Sequence, residues 1–443
     1  MRRLLPLVLL LATAQPAEAA APSVSISASA ILGQAPLMVT LTATGAADSY
    51  SWDLGDGTRA EGPVVHHTYP TGRYTVTLTA SVAGESTQTR VTITAAKLVL
   101  APPKVGTYGR RGRIEGRILP ALHGARISLH SNGQVVETQS TGRGGRVSFQ
   151  PRYGEPAGYQ AFFGAITSNV VAPSIRPQIR LWFPRSRMVG RPLTLTAAVR
   201  PAAAGTLRVR IWRDGRRLRP RALGLRGRIR LATNRPAAYV VRVELTPAGA
   251  FARVTRTLRS TVHVPTLRRG ARGPSVRLLE TRLRELTYVL RGVDGLYATD
   301  TVEAVLAFQK VHGLARTGQV GPGLWSRLFR ATRPWARHAG THLEVSKGRQ
   351  LLFDVRDGRV IRTVHVSTGA TGNTPVGRWR IYRKVGGWDW VLWYPMYFLR
   401  GFAVHGYPSV PAYPASHGCV RVPMWIAPKL FADHPYGRTI HVY

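Results

Sequence analysis

The 443-residue chain has one cysteine, Cys419, and only 21 acidic residues against 62 lysines and arginines. A single thiol rules out an intrachain disulfide, so every module must be held by its core alone. Long apolar runs are also missing after the N-terminus: no later segment approaches the 18 or more apolar residues that span a bilayer. The opening "MRRLLPLVLLLATAQPAEAA" sets Arg2 and Arg3 ahead of a leucine-rich stretch and the small-residue site Ala17-Glu18-Ala19, the layout of a signal peptide over 1–19. The expectation is an exported protein of the cell wall, periplasm or exterior, with no transmembrane anchor. A lipid-modified cysteine after the signal is excluded, because the thiol sits at 419. Outside the cytoplasm a free thiol is exposed to oxidation, which favours a chemical use for it.

The shortage of acidic residues leaves a net charge of +41, most of it from arginine. A chain this basic adheres to polyanions. The arginines are spread along β-like segments, without the clustered basic helix or aromatic signature of a nucleic-acid module. The reading is therefore no nucleic acid, a compositional arginine bias, and attraction to anionic cell-surface polymers.

What is present is a succession of modules, mainly β. From Ser23 to Ala96 apolar and polar residues alternate, as in "LMVTLTATG" and "RYTVTLTASV", predicting a small β-sandwich over 23–96. Its Trp52-to-Gly57 turn, His67-to-Tyr69 and Gly72-to-Tyr74 resemble the PKD domain family. Asp53 and Asp56 are read as Asx-turn residues rather than calcium ligands. Between 97 and 265 a repeat aligns "RILPALHGARISLHSNGQVV" with "VRPAAAGTLRVRIWRDGRRL", matching Pro120 to Pro201, Gly124 to Gly205 and Asn132-Gly133 to Asp214-Gly215. These predict two immunoglobulin-like β domains, 97–172 and 173–265.

At Leu267 the period changes from two to about three and a half. Val276, Leu279, Leu283 and Leu286 fall on one helical face, then Val302, Val305 and Phe308 on another, with Asp300 and Glu303 as a capping box and Gly313 as the stop. The segment 266–331, with "VDGLYATDTVEAVLAFQKVHGL" and "GQVGPGLWSRL", resembles the small three-helix peptidoglycan-binding domain. "RATRPWARHAGT" reads as a linker. The final module, 341–443, is β-rich, opening with a hairpin turned at Asp357-Gly358. Trp388, Trp390 and Trp393 are expected to pack in its core or rim.

A thiolate nucleophile needs a base, something to orient the base, and donors for the oxyanion formed on the attacked carbonyl. Around Cys419 each has a candidate. His405 closes the apolar run "GFAV", Gly406 leaves a carbonyl beside it, and the amides of Gly418 and Cys419 sit at a tight turn. His417 is the rival base or a loop holder. A zinc site would need tighter ligand pairs and a further thiol or carboxylate, so no metal is expected. Pro428 precludes a long helix after the cysteine, so a helix dipole is not what activates it.

His405-Gly406, Ser416-His417-Gly418-Cys419 and Val420-Arg421, with "STGATGNTPVG" upstream, resemble the L,D-transpeptidase catalytic family. The resemblance implies that Cys419 is the nucleophile and His405 the base, supported by Gly406, Ser416, His417 and Gly418. Arg421 would hold a substrate carboxylate or brace the loop. It also implies peptidoglycan stem peptides as substrate: attack at the carbonyl of the L-centred third residue, loss of D-alanine, and transfer of the thioester to a neighbouring amine, with no cofactor. Hydrolysis of the same thioester by an L,D-carboxypeptidase, or an inactive wall-bound adhesin or scaffold, are the alternatives.

Overall fold

The computed structural model describes residues 23–443, so the expected signal peptide lies outside the described residues. The chain divides into two compact units. The first runs to Ile179 and takes in Val199–Thr206 and Leu245–Val254; the second holds Arg180–Ala198, Leu207–Glu244 and Thr255–Tyr443. The segment 173–265, expected as one β domain, is therefore divided between them.

In the first unit, two sheets close over Val39, Leu41, Trp52, Tyr69, Val76, Leu78 and Ile93, each buried. The Trp52 indole donates to Gly62 O at 2.8 Å. Asp53 and Asp56 accept the amides of Gly55 and Thr58, as Asx turns require. No linker follows at residue 96. The 16-residue strand Glu85–Leu100 pairs with Gly72–Val82 along its first part and with Ile114–Leu119 beyond it, Lys97 facing Leu119 and Leu100 facing Gly116. One strand thus serves both modules. The two aligned hairpins turn through the same left-handed pair, Asn132-Gly133 (φ 50 and 75) and Asp214-Gly215 (φ 52 and 79).

In the second unit, three helices form the module that precedes the C-terminal domain: α1 (Pro274–Glu285), α2 (Thr299–Val311) and α3 (Pro322–Arg330). Helices α1 and α3 start on a proline, tolerated there because the first-turn amides have no partner in the helix. Val276, Leu279, Leu283 and Leu286 are buried together with Val305, Phe308 and Trp325, while Val302 is only half-buried. Each such side chain contributes about 1.5–3 kcal/mol. Gly313, at φ 63, ends α2 as expected.

The capping box does not form. Helix α2 begins at Thr299 with Ala298 before it and no side-chain cap. Asp300 instead accepts Arg291 N–H at 2.9 Å, and Glu303 accepts the Trp425 indole at 2.8 Å, so tertiary partners take both carboxylates. The segment read as a linker is also engaged: Arg282 donates to Ala331 O, Trp335 bridges to Arg359, and Arg337 and His338 donate their amides to Glu344.

The C-terminal domain sandwiches two five-stranded sheets. The first runs Arg359–His365, Leu351–Arg356, His342–Ser346, Thr439–Val442, Gly377–Arg380. The expected hairpin is therefore a three-stranded meander, its last turn at Asp357-Gly358. The second sheet runs Arg383–Lys384, Leu392–Leu399, Phe402–Tyr407, Val420–Pro423, with Trp388–Asp389 also on Leu392–Leu399. Val345, Leu352, Val364, Met396, Phe398, Val404, Val420, Val422 and Leu430 fill the space between them. Trp393 packs against this core and Trp388 lies on it at the rim, ring centroids 5.0 Å apart, but Trp390 is 88% exposed, so two of the three tryptophans pack as expected. A short helix, α4 (Ala427–Asp433), follows, with Pro428 in its first turn.

Candidate active site

The two histidines and the cysteine are brought to one end of the second sheet by a parallel pair. Strand Phe402–Tyr407 runs beside Val420–Pro423 with Val404 facing Val420 and His405 facing Arg421. Cys419 enters the second strand at the level of Ala403, whose amide donates to Sγ at 3.4 Å. His405 does not close its strand as the sequence suggests; it lies inside it, two residues before the end, and is 2% exposed. It is thereby fixed by the ladder on both sides.

The ring orientation follows from one bond. His405 Nδ1 lies 2.9 Å from Gly406 O. A carbonyl only accepts, so Nδ1 carries the proton and Nε2 keeps its lone pair. Burial pulls the imidazole down to about 4, against the Gly406 bond, which raises it; the Arg421 charge lowers it further. Burial pushes the Cys419 thiol up, while the Ala403 amide and Arg421 pull it back. At neutral pH the site therefore rests as thiol and neutral imidazole.

The turn before the nucleophile is held from three directions. Ser416 Oγ donates to Cys419 O at 2.6 Å and accepts the Gly418 amide at 3.0 Å. Thr374 Oγ1 donates to Gly418 O at 2.7 Å and accepts Gly369 N–H at 2.9 Å. Asn373 donates to His417 O at 2.8 Å. Because Ser416 takes the Gly418 amide, only the Cys419 amide of the expected pair is left for an oxyanion. His417 itself is exposed and enters this network through its carbonyl.

Two glycines are required by close packing. Gly418 has φ 134, and a Cβ there would lie 2.4 Å from Phe402 Cε1. At Gly406 a Cβ would meet Trp393 and Ala427 at 2.7 and 2.9 Å. Arg421 stacks its guanidinium 4.0 Å over the Tyr407 ring, which in turn stands edge-on to His405 at 5.8 Å. Tyr407 and Asn373 were not singled out from sequence. The signal for Tyr407 was its place two residues after His405, on the same strand face.

Family comparisons follow the same division of the chain. The PKD domain model matches 23–95, a peptidoglycan binding domain model matches 272–328, and the L,D-transpeptidase catalytic domain model matches 340–442. A solved structure of an L,D-transpeptidase (residues 123–326) from Xylanimonas cellulosilytica is 37% identical, over 40% of this chain and 97% of that one, with a TM-score of 0.39. Fibronectin(III)-like modules of Clostridium thermocellum CbhA are 13% identical over 38% of this chain and 93% of theirs, with a TM-score of 0.17. Comparison with curated proteins gives no match. Among the described residues no helix is long and apolar enough to cross a membrane. The C-terminal domain, which follows a PKD domain and a peptidoglycan-binding domain in one chain, is thus the part that belongs with the L,D-transpeptidase catalytic domains.

Proposed function

We propose that the chain is an exported L,D-transpeptidase that forms peptidoglycan cross-links, with Cys419 as nucleophile and His405 as base. The observation that carries this reading is the bond from His405 Nδ1 to Gly406 O, which leaves Nε2 as the unprotonated nitrogen on a strand paired with the one Cys419 enters. A thiol raised by burial is a weak nucleophile until its proton is taken, so proton transfer to Nε2 accompanies attack.

Sγ adds to the carbonyl carbon of the L-centred third residue of a stem peptide, and the negative oxygen is met by the Cys419 amide. The C–N bond to D-alanine breaks, the imidazolium proton goes to the leaving amine, and a thioester remains. An amine of a neighbouring stem then attacks; its proton passes to Nε2 and on to Sγ as the new amide forms. Arg421, beside the imidazole and held on Tyr407, is the group placed to take a substrate carboxylate. The substrate's wall setting accords with the peptidoglycan-binding domain and with the excess of arginine, which attracts anionic surface polymers.

The test is incubation of purified protein with tetrapeptide-stem muropeptides and mass spectrometry of the products. Stem dimers lacking one D-alanine support the reading. Tripeptide stems alone point to an L,D-carboxypeptidase, and an unacylated Cys419 with unchanged stems to a wall-bound scaffold.

A further inference from the structure

Lys310, at the end of α2, is 3% exposed, and nothing in the catalytic scheme uses it. Three acceptors of the C-terminal domain surround its nitrogen: Gln350 O at 2.9 Å, Val366 O at 3.0 Å and His365 Nδ1 at 2.5 Å. Burial first, and then the Arg316 charge, push this lysine down to about 6. A buried amine whose partners all lie on the neighbouring domain calls for a role there.

Two branches lead from it to the segment joining base and nucleophile. His365 is 1% exposed. With Nδ1 receiving the lysine hydrogen, its Nε2 carries the ring proton and donates to Val410 O at 2.8 Å. The second branch passes through Gln350, a non-glycine residue at φ 58 whose carbonyl Lys310 holds. The Gln350 side chain accepts Thr368 N–H at 2.8 Å and donates to Thr368 Oγ1 at 2.6 Å. Thr368 O then takes the amides of Ala415 and Ser416 at 2.9 and 3.0 Å. Ser416 in turn holds the Cys419 carbonyl. A third contact comes from the same helical module, Arg316 donating to Ala412 O at 2.9 Å.

We infer that Lys310 and His365 are positioning residues for Cys419: the helical domain fixes the segment between His405 and Cys419 through them, and the nucleophile is in register only while that segment is held. The inference rests on the reading of Cys419 and His405 as the catalytic pair. The module matched as peptidoglycan-binding is then part of the catalytic unit as well as a wall contact.

The test uses the full chain with Lys310→Met, Arg316→Ala and, as a control on the same domain contact away from the loop, Trp425→Phe, which removes the indole bond to Glu303. Two readouts are taken: hydrogen exchange of the amides in 410–416, and saturation kinetics of Cys419 acylation by a carbapenem followed by intact mass. In Lys310→Met these amides exchange at least about ten-fold faster, and the limiting acylation rate falls about ten- to hundred-fold with half-saturation within about two-fold. Arg316→Ala moves both readouts the same way by about three-fold. Trp425→Phe leaves exchange in 410–416 at the parent rate. Parent-like exchange in Lys310→Met, a loosened loop with an unchanged limiting rate, or equal loosening by Trp425→Phe each overturns the inference. If Lys310→Met does not fold, Arg316→Ala on the surface decides by the same criteria. A parent chain that takes no acyl group sinks the catalytic reading, and the positioning role with it, whatever the exchange shows.

Discussion

His405 and Arg421 face each other across two parallel strands, so the base stands beside a fixed cation. Burial first, then this charge, takes the imidazole down to about 4. A base is useful only when unprotonated, so the rate of Cys419 acylation should hold as pH falls through 6.5 and be lost only near 4. Removing the cation in Arg421→Met should move that acid limb to higher pH, because the positive charge that disfavours a protonated His405 is gone. Acylation rates measured from pH 3.5 to 8 by intact mass check both points. A parent profile that falls at pH 6.5 would mean that the ring titrates as if exposed.

Cys419 and His405 should behave as one unit. Cys419→Ala abolishes acylation, and His405→Ala slows it by about 10²–10⁴, the range for loss of a general base. In stem-peptide turnover the double variant should lose little beyond the worse single one. His417 meets the network only through its carbonyl, which any residue supplies. His417→Ala should therefore acylate within about ten-fold of the parent. A parent-like rate for His405→Ala together with a collapsed rate for His417→Ala would reverse the assignment of the base.

Gly418→Ala should cost more than its size suggests. The new methyl meets the Phe402 ring at 2.4 Å, and φ 134 is a conformation that alanine adopts only under strain. A destabilisation of about 1–3 kcal/mol is expected from the backbone alone. The turn that presents Sγ would shift to relieve it. Urea unfolding and acylation should both report the loss, and Phe402→Leu, which relieves the clash but not the φ, should restore only part of it. Full rescue by Phe402→Leu would show that the backbone conformation is not limiting.

The residues of the site itself were legible because they are consecutive: the pattern from Ser416 to Arg421, with a histidine upstream, needs no tertiary information to be seen. The β character of the first modules and the apolar faces of α1 and α2 followed from periodicity. What failed depended on partners distant in sequence. Asp300 and Glu303 satisfy a local capping rule, yet Arg291 and Trp425 claim their carboxylates. The strand Glu85–Leu100 continues through a composition boundary because sheet partners wait on both sides. Lys310 in "FQKVHG" looks like a solvated helix residue; only the fold sets His365 and two carbonyls against its nitrogen.

Acid stability should also carry the signature of buried histidines. His405 and His365 are 2% and 1% exposed, and burial lowers them to about 4 and about 3. In the unfolded chain both return to about 6.5. Between the folded and unfolded values the unfolded state binds the extra protons, so stability is full above about 6.5 and falls as pH is lowered. From pH 6.5 to 5 each histidine should remove up to about 2 kcal/mol, while Glu303, pushed up to about 7 by burial, binds its proton in the folded state first and offsets part of that loss. Lys310, at about 6 when folded, adds a slope of the same sign above that pH and none below it. Urea midpoints of the second unit, followed by tryptophan fluorescence, should therefore drop across this window in the parent. His405→Gln and His365→Gln should each reduce the drop from pH 6.5 to 5 by up to about 2 kcal/mol, whatever they do to stability at pH 7.5. Variants that keep the parent slope would show that the two rings are not held neutral, and the resting state assigned to the catalytic pair would have to be given up with them.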